Sequence, residues 1–197
     1  MAEGRIRRKF VQVMLKFVQH WRISWYSMLS NNSVEGKPIR VQPLQTVGLG
    51  RIIFGENVGI GFFPSPMFLS TYAYVEARNQ TAIVSIGSRT KINNNFSAIA
   101  EHSSIFIGND CRIGAGVEIV DSDFHGVKLS ERNNLPVQSA KPVTVGDDVF
   151  IGSNVKIFKG VTIGARSVIA NGSLVTRDIP ADVVAAGCPA RVIRVID

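Results

Sequence analysis

The spacing of hydrophobic positions changes along this chain from a period near 3.6 residues to a period of six. Residues 5–29 place apolar side chains three and four positions apart, which puts them on one face of an α-helix. Further along, an aliphatic residue stands before a small or polar one at six-residue steps. The helical positions are Ile6, Phe10, Val13, Phe17, Trp21, Trp25 and Met28; the six-residue series is Val145, Ile151, Ile157, Ile163, Ile169 and Val175, with earlier members at Ile86, Ile92, Ile107, Ile113 and Ile119 and weaker ones at Phe54 and Ile60.

A six-residue repeat suits a short strand followed by a corner, because the aliphatic side chain points inward and its small neighbour lets the chain bend. Three such sides close a triangular turn of about eighteen residues, and parallel strands pair between successive turns. The pattern therefore predicts a mainly β chain that forms a parallel β-helix after an N-terminal amphipathic helix.

The repeat also predicts how the chain is divided. Residues 1–46 are expected to form the helix and a linker, since residues 31–46 are rich in Asn, Gly and Pro. Residues 47–197 are expected to form the β-helix with a C-terminal tail. A polar stretch at 121–142 interrupts the repeat, and loops that leave a regular solenoid are where function is commonly placed.

Charge separates the helix from the body. Residues 1–30 carry six basic side chains against Glu3, whereas the remaining residues contribute only +2 of the net +7. A nearly balanced body with one basic end lacks the basic stripe that nucleic-acid binding requires. Two interpretations of residues 5–29 stay open: a peripheral contact with anionic lipid, or packing of the apolar stripe against the body or a sister subunit.

The cysteine content and the hydropathy of the chain indicate the cellular compartment in which it is expected. Cys111 and Cys188 lack the close Cys or His neighbours of a zinc site or a disulfide framework, so free thiols in a reducing compartment are expected. No apolar stretch is long enough for a transmembrane helix, and no cleavage site follows the basic N-terminus. We expect a cytoplasmic protein.

The candidate chemistry centres on histidine. Of the three histidines, His20 lies in the helical segment and His102 between two repeats, where a solvated side chain is expected. His125 opens the inserted loop and has Asp121 and Asp123 close to it in sequence. A loop histidine bonded to a neighbouring aspartate would be a purely structural alternative.

Several segments resemble the hexapeptide acyltransferases that acetylate sugars, including the maltose, galactoside and bacterial polysaccharide O-acetyltransferases. The similar segments are 95–97 (NFS), 107–114 (IGNDCRIG), 121–126 (DSDFHG), 141–152 (KPVTVGDDVFIG) and 175–193. The resemblance implies a left-handed β-helix, although parallel crossovers are normally right-handed. It also implies a homotrimer with sites between subunits, and transfer of an acyl group from acetyl-coenzyme A without a metal.

The resemblance assigns the general base to His125 and a second site role, in holding the acceptor or the intermediate, to Asn95. A neutral imidazole can remove the proton of a sugar hydroxyl as that oxygen attacks the activated thioester, and backbone N–H groups would stabilise the oxyanion. Asp123 is expected to help bind the acceptor, and either Asp123 or Asp121 to orient His125. Two departures from the family pattern affect the acceptor: Phe150 replaces a common tryptophan, and Ser97 a common asparagine.

Coenzyme A requires a groove of small residues and cations for its phosphates. We expect the pantetheine arm to pass the backbone of Gly152, Ser153, Ala170 and Gly172. Arg177 and Arg191 match family positions near the nucleotide, and arginine suits bidentate phosphate binding.

Other functions remain as alternatives at this point. The acceptor could be the amine of an amino sugar or the hydroxyl of an antibiotic. A non-catalytic β-helix scaffold would present an extended surface without chemistry. A γ-type carbonic anhydrase needs three metal ligands, two of them close in sequence, and His102 and His125 do not meet that requirement.

Overall fold

The computed structural model describes residues 2–126, 128–133 and 139–196. The chain forms a left-handed parallel β-helix of three sheets, preceded by the helix α1 (Ala2–Met28). Sheet A contains β3 (Arg51–Phe54), β6 (Ile83–Ile86), β9 (Ser104–Ile107), β12 (Val143–Val145) and β15 (Thr162–Ile163). Sheet B contains β1 (Ile39–Arg40), β4 (Gly59–Ile60), β7 (Lys91–Ile92), β10 (Arg112–Ile113), β13 (Phe150–Ile151), β16 (Val168–Ile169), β18 (Val183–Gly187) and β19 (Ala190–Val195). Sheet C contains β2 (Leu44–Val47), β5 (Ala73–Ala77), β8 (Ser97–Ala100), β11 (Glu118–Val120), β14 (Lys156–Ile157) and β17 (Leu174–Val175).

The six-residue series forms the core. In sheet B, for example, Ile113 pairs in register with Ile92 below it and Ile151 above it, and all three are buried. Each fully buried aliphatic side chain contributes roughly 1.5–3 kcal/mol of transfer free energy, so the stacked columns are the main stabilising feature of the fold. The residue before each aliphatic faces outward.

The sheets meet at three kinds of corner, two of which matter for the site. The BC corner, between sheets B and C, comprises residues 93–96, 114–117, 152–155 and 170–173. The CA corner, between sheets C and A, comprises residues 78–82, 101–103, 121–142, 158–161 and 176–178. Close stacking requires glycine at some corners: a Cβ on Gly152 would lie 2.3 Å from the Asn171 side-chain oxygen in the next coil.

Two additions depart from the regular coil. An insertion at residues 61–72 joins β4 to β5, where each of the later coils has four residues. The loop at 121–142 joins β11 to β12, as the interrupted repeat predicts, and carries a 3-10 turn at Leu129–Glu131. Residues 127 and 134–138 of that loop lie outside the described residues.

The β-helix begins earlier than the sequence predicts. The expected linker at 31–46 contains β1 and most of β2, and β1 pairs with β4 in parallel. The six-residue repeat cannot be recognised in this first coil, because the fully buried Gln42 stands where the repeat would have an aliphatic residue. Its side-chain amide donates to the Met67 and Thr71 carbonyls at 3.0 and 3.2 Å, so the insertion satisfies its polar atoms.

Helix α1 packs on the first coil through its polar face. The Gln19 amide donates to the Val41 carbonyl at 2.8 Å, and the Arg22 guanidinium donates to the Phe68 carbonyl at 2.9 Å. The rings of Tyr26 and Tyr72 lie 4.4 Å apart. The expectation that the apolar stripe packs against the chain's own body is therefore wrong: the stripe faces away and is exposed, apart from Ile6, whose side chain lies outside the described residues.

Candidate active site

The loop that carries His125 is fixed to the coil below at its first residues. Asp121 is fully buried and accepts hydrogen bonds from the backbone N–H of Glu101 at 2.8 Å and of Ser103 at 2.7 Å. The Ser122 hydroxyl donates to the Glu101 carboxylate at 2.7 Å. Burial raises the pKa of the Asp121 carboxyl, and the backbone hydrogen bonds oppose that rise. The start of the loop is thus held by the corner beneath it.

The imidazole of His125 is oriented by a backbone carbonyl. Its Nδ1 lies 3.1 Å from the carbonyl oxygen of Arg132, and the side chain is exposed. A carbonyl oxygen only accepts, so we assign the proton to Nδ1, which leaves Nε2 as a proton acceptor. The 3-10 turn before Arg132 therefore fixes both the tautomer and the direction of the ring.

The two aspartates near His125 have other partners, which corrects the expectation that one of them orients the ring. Asp121 is occupied by the backbone of the CA corner. Asp123 is exposed and forms an ion pair with Lys159 from the next coil of the same corner. The orienting group is missed by sequence reasoning because a backbone carbonyl leaves no mark on residue type.

A charged cluster supports the loop from below. Arg78 donates to Glu76 at 2.8 Å and to Glu101 at 3.3 Å, and both carboxylates are largely buried. The hydrogen bond to Glu76 raises the pKa of Arg78. Burial, together with the hydrogen bond to Glu76, raises the pKa of Tyr74 to about 12. The cluster presents the Arg78 guanidinium to the ring of Phe124 at 5.0 Å.

Asn95 does not lie beside His125 within one chain. It occupies the BC corner with φ at 60°, and its backbone N–H donates to the Gln42 side-chain oxygen at 3.0 Å. Asn95 precedes a strand of sheet C, whereas His125 follows the next strand of that sheet. About five residues of extended chain separate the two corners, which corresponds to about 16 Å.

The outer face of sheet B forms a groove near Asn95. Lys91, Arg112 and Phe150 stand in one outward column because their strands pair in register. Phe62 of the insertion overhangs this column, and the groove encloses about 520 Å³. Phe150 is 49% exposed, which is unusual for a phenylalanine on a packed sheet. The sequence identifies these outward side chains, because each occupies the position directly before an aliphatic residue of the six-residue repeat.

The small residues expected along the pantetheine arm share one corner. Gly152, Ser153, Ala170 and Gly172 all lie at the BC corner, in the coils above Asn95. Gly152 is explained by coil stacking alone, because the Asn171 side chain of the next coil leaves no room for a Cβ. Gly172 is different, because its φ of 70° favours glycine and an added Cβ would meet nothing within 4 Å. Backbone there is open to a ligand.

The two arginines expected at the nucleotide lie toward the C-terminal end of the β-helix. Arg177 follows β17 at the CA corner, and Arg191 lies in β19 of the C-terminal hairpin. Both side chains are exposed, and neither forms an ion pair within the described part of the chain. They are available to an anionic ligand.

The described residues contain neither a metal-binding cluster nor a membrane-spanning helix. Residues 2–126, 128–133 and 139–196 contain no group of three His, Cys, Asp or Glu side chains close enough to bind one metal ion. Within those residues, α1 is not apolar enough over a sufficient length to span a bilayer. Cys111 is buried, which raises the pKa of its thiol, and Cys188 is exposed; both are free.

The chain is similar in sequence to known hexapeptide-repeat acetyltransferases. A family model described as the hexapeptide repeat of succinyl-transferase matches residues 98–131 and 142–177. Galactoside O-acetyltransferase of Lactococcus lactis is 36% identical over 156 residues, which cover 79% of this chain and 70% of that protein. Galactoside O-acetyltransferase of Escherichia coli is 44% identical, but the match covers only 57% of each chain. The chain thus spans little more than half the length of that relative.

A solved structure agrees with the sequence matches. The hexapeptide-repeat containing acetyltransferase of Vibrio cholerae, in complex with acetyl-coenzyme A, is 32% identical. It superposes with a TM-score of 0.58 and the match covers 73% of this chain and 70% of that one. These comparisons confirm the resemblance and the β-helical fold that the motifs predict.

Proposed function

Because the chain belongs to the hexapeptide-repeat acetyltransferases, we propose that it transfers an acetyl group from acetyl-coenzyme A to a hydroxyl of a sugar or surface-polysaccharide precursor. One observation carries this proposal: the inserted loop presents an exposed His125 with its Nδ1 against the Arg132 carbonyl. A histidine that acts as a general base needs one ring nitrogen held by a hydrogen bond, so that the other nitrogen can take the proton of the sugar hydroxyl. The sugar hydroxyl as acceptor is supported by the names of the galactoside O-acetyltransferase relatives.

In the proposed reaction, Nε2 of His125 removes the proton of the acceptor hydroxyl while its oxygen attacks the thioester carbonyl. The carbon–sulfur bond of the tetrahedral intermediate then breaks, and the coenzyme A sulfur leaves with the proton that His125 has taken. The products are an acetyl ester and coenzyme A, so protons and electrons balance without a metal or a covalent enzyme intermediate. Backbone N–H groups of a corner would stabilise the oxyanion.

The acetyl-coenzyme A site is proposed to follow the upper coils. The open backbone at Gly172 would admit the pantetheine arm along Gly152, Ser153 and Ala170. Arg177 and Arg191 would bind the phosphates at the C-terminal end, since both guanidinium groups are exposed. A similar structure in complex with acetyl-coenzyme A supports this molecule as the donor.

We further propose that the active site is completed in a homotrimer. Asn95 and the sheet B groove lie at one corner of the coil, and the loop carrying His125 leaves another. A threefold axis parallel to the β-helix would bring the His125 loop of one subunit against the groove of its neighbour. Asn95 would then bind the acceptor that the neighbour's loop activates, and Asp123 would contact it from the loop.

Complementation tests this arrangement sharply. His125→Ala and Asn95→Ala would each be inactive alone, but in mixed trimers some sites would combine an intact His125 with an intact Asn95. Random mixing of equal amounts would restore about a quarter of the sites. Light scattering should give a particle of three times the 21.5 kDa chain mass. Failure to recover any activity from mixtures shown to exchange subunits would refute a shared site.

The reaction itself is tested by thiol release. Acetyl-, propionyl- and succinyl-coenzyme A would be combined with neutral sugars, acidic sugars, an amino sugar and a hydroxylated antibiotic. Acceptor-dependent thiol release with a sugar lacking an amine supports O-acetylation. Release only with the amino sugar or the antibiotic would favour those acceptors, and no release with any acceptor would favour a scaffold.

We place the enzyme in the cytoplasm, where acetyl-coenzyme A is supplied, with α1 at the inner face of the membrane. A lipid-linked glycan precursor would then lie within reach of an enzyme held at the same surface.

A further inference from the structure

We propose that α1 binds the surface of an anionic lipid bilayer through an apolar stripe that points away from the β-helix. The α1 stripe is defined by eight side chains that are between 38% and 71% exposed. They are Phe10, Val13, Met14, Phe17, Val18, Trp21, Trp25 and Met28. Trp21 and Trp25 lie side by side with nearly parallel rings, 6.0 Å between their centroids. This inference concerns the outward face of α1, which contains no residue of the proposed acetyl transfer, and it holds whichever acceptor is used.

The direction of the stripe is fixed by the opposite face of the helix. Gln19 is only 6% exposed and is bonded to the first coil. Trp21 follows two residues later, which places it about 160° away around the helix axis. Arg22 and Tyr26 hold the same docked face on the insertion. The contacts that attach α1 to the body therefore keep the stripe outward.

The N-terminal turns of α1 are exposed on all sides. All residues from 7 to 14, together with Arg5, are exposed. A helix of 27 residues is about 40 Å long, and the hydrogen bonds that attach α1 to the body come from Gln19 and Arg22 in its C-terminal half. The stripe runs without a break from Phe10 to Met28, which suits a helix that lies in the plane of a membrane surface.

Charge selects a lipid surface over a second copy of the chain. Arg5, Arg7, Arg8, Lys9 and Lys16 are all exposed, and the sequence contains no acidic residue before position 35 except Glu3. Packing identical stripes together would gather these cations around one seam without counter-charges, which is unfavourable. Anionic headgroups supply the missing negative charge, and tryptophan favours the headgroup zone.

The first experiment uses the unaltered protein. Trp21 and Trp25 are its only tryptophans, so intrinsic fluorescence reports on the stripe alone. Vesicles of phosphatidylcholine with phosphatidylglycerol should shift the emission to shorter wavelength, and brominated lipids should quench it. Raising the salt concentration should reverse the shift, since the attraction is electrostatic in part. Pure phosphatidylcholine vesicles should have a much smaller effect.

Variants separate the charges from the stripe. Replacing Arg7, Lys9 and Lys16 together by Gln should weaken partition into anionic vesicles by about 100-fold, since each cation near the surface contributes about fivefold. Phe17→Glu should abolish co-sedimentation, while the matched control Leu49→Glu should bind normally. Leu49 is 74% exposed on the body, so it carries the same change of charge away from the stripe.

Loss of vesicle binding in Phe17→Glu, with particle mass and activity on a soluble acceptor unchanged, supports the proposal. Absence of binding by the full-length protein, or equal binding by Phe17→Glu and Leu49→Glu, overturns it. A smaller particle mass in Phe17→Glu would also overturn it, because the stripe would then be a contact between copies of this chain.

Discussion

The guanidinium carbon of Arg78 lies 5.0 Å from the centre of the Phe124 ring, one residue before His125. Arg78 belongs to a coil well below the loop, and its ion pairs with Glu76 and Glu101 hold it in place. The contact therefore connects the body of the β-helix directly to the segment that carries His125, the proposed base. A cation over an aromatic face contributes about 0.5–2 kcal/mol, enough to favour one position of a short loop segment.

Arg78 is accordingly expected to act as a positioning residue. Arg78→Met should lower kcat about tenfold, because His125 spends less time in its productive position, while the KM for acetyl-coenzyme A stays within about twofold. Arg78→Lys should recover part of the rate, since it retains the cation. Arg89→Met is the matched control, because Arg89 is also ion-paired but lies at a corner between sheets A and B, away from the His125 loop. Equal losses in both variants would contradict a positioning role.

Removing the proposed base, His125, should affect chemistry and not folding. His125→Ala should lower kcat at least 100-fold, since general bases contribute about 10²–10⁴-fold, and should leave the melting temperature nearly unchanged because the side chain is exposed. His20→Ala, another exposed histidine, should retain full activity. If His125→Ala keeps more than about a tenth of the rate, His125 is not the base.

The orientation of His125 by Arg132 can be tested through Gly126. An added Cβ on Gly126 would lie 2.4 Å from the Glu131 Cβ and 2.5 Å from its carbonyl oxygen. Gly126→Ala should therefore displace the turn that leads to the Arg132 carbonyl, and kcat should fall about tenfold or more. Denaturant unfolding should be little affected, since the loop lies outside the core. Wild-type kcat in this variant would mean that the carbonyl does not set the ring.

Asp121 should matter for stability far more than its neighbour Asp123. Asp121→Ala leaves two buried backbone N–H groups without acceptors, so the free energy of unfolding should fall by about 2–3 kcal/mol. Asp123→Ala breaks an exposed ion pair and should cost less than about 1 kcal/mol. Urea unfolding of both variants measures the difference, and equal losses would be inconsistent with the buried contacts.

The raised pKa of Asp121 also predicts a pH dependence, which the same unfolding measurements test. The folded state holds this proton more tightly than the unfolded chain, whose carboxyl titrates near 3.8. The stability that this group contributes is complete below that pH and decreases as the pH rises through the higher folded pKa. Asp121→Asn should remove that slope; an unchanged slope would assign it to other carboxyls.

The two exposed arginines should contribute to donor binding alone. Arg177→Ala and Arg191→Ala are each expected to raise the KM for acetyl-coenzyme A about tenfold, with kcat nearly constant, because a lost phosphate contact is made equally in ground and transition states. Dephospho-coenzyme A donors identify the phosphate: an arginine that binds the ribose phosphate should lose its effect with them. Unchanged KM values in both variants would place the nucleotide elsewhere.

Sequence periodicity determined the repeat and the inserted loop that carries His125, whereas the proposed role of His125 as the base came from the family resemblance. An aliphatic at every sixth position must face one interior, as Ile113 and Ile151 do, so the pattern specifies stacked coils before any coordinate is known. The pattern did not predict the coil that contains Gln42, because the hydrogen-bond partners of its buried amide come from an insertion that no local pattern predicts.

Only the tertiary structure decided how the site is arranged. The ring of His125 is set by the carbonyl of Arg132, and every residue has a carbonyl, so residue type carries no information about that contact. Asn95 and His125 lie at different corners because corners alternate along the coil. The α1 stripe was visible in the sequence, but its direction depended on the docking of Gln19. An amphipathic pattern states which side chains share a face, and only packing determines which face is buried.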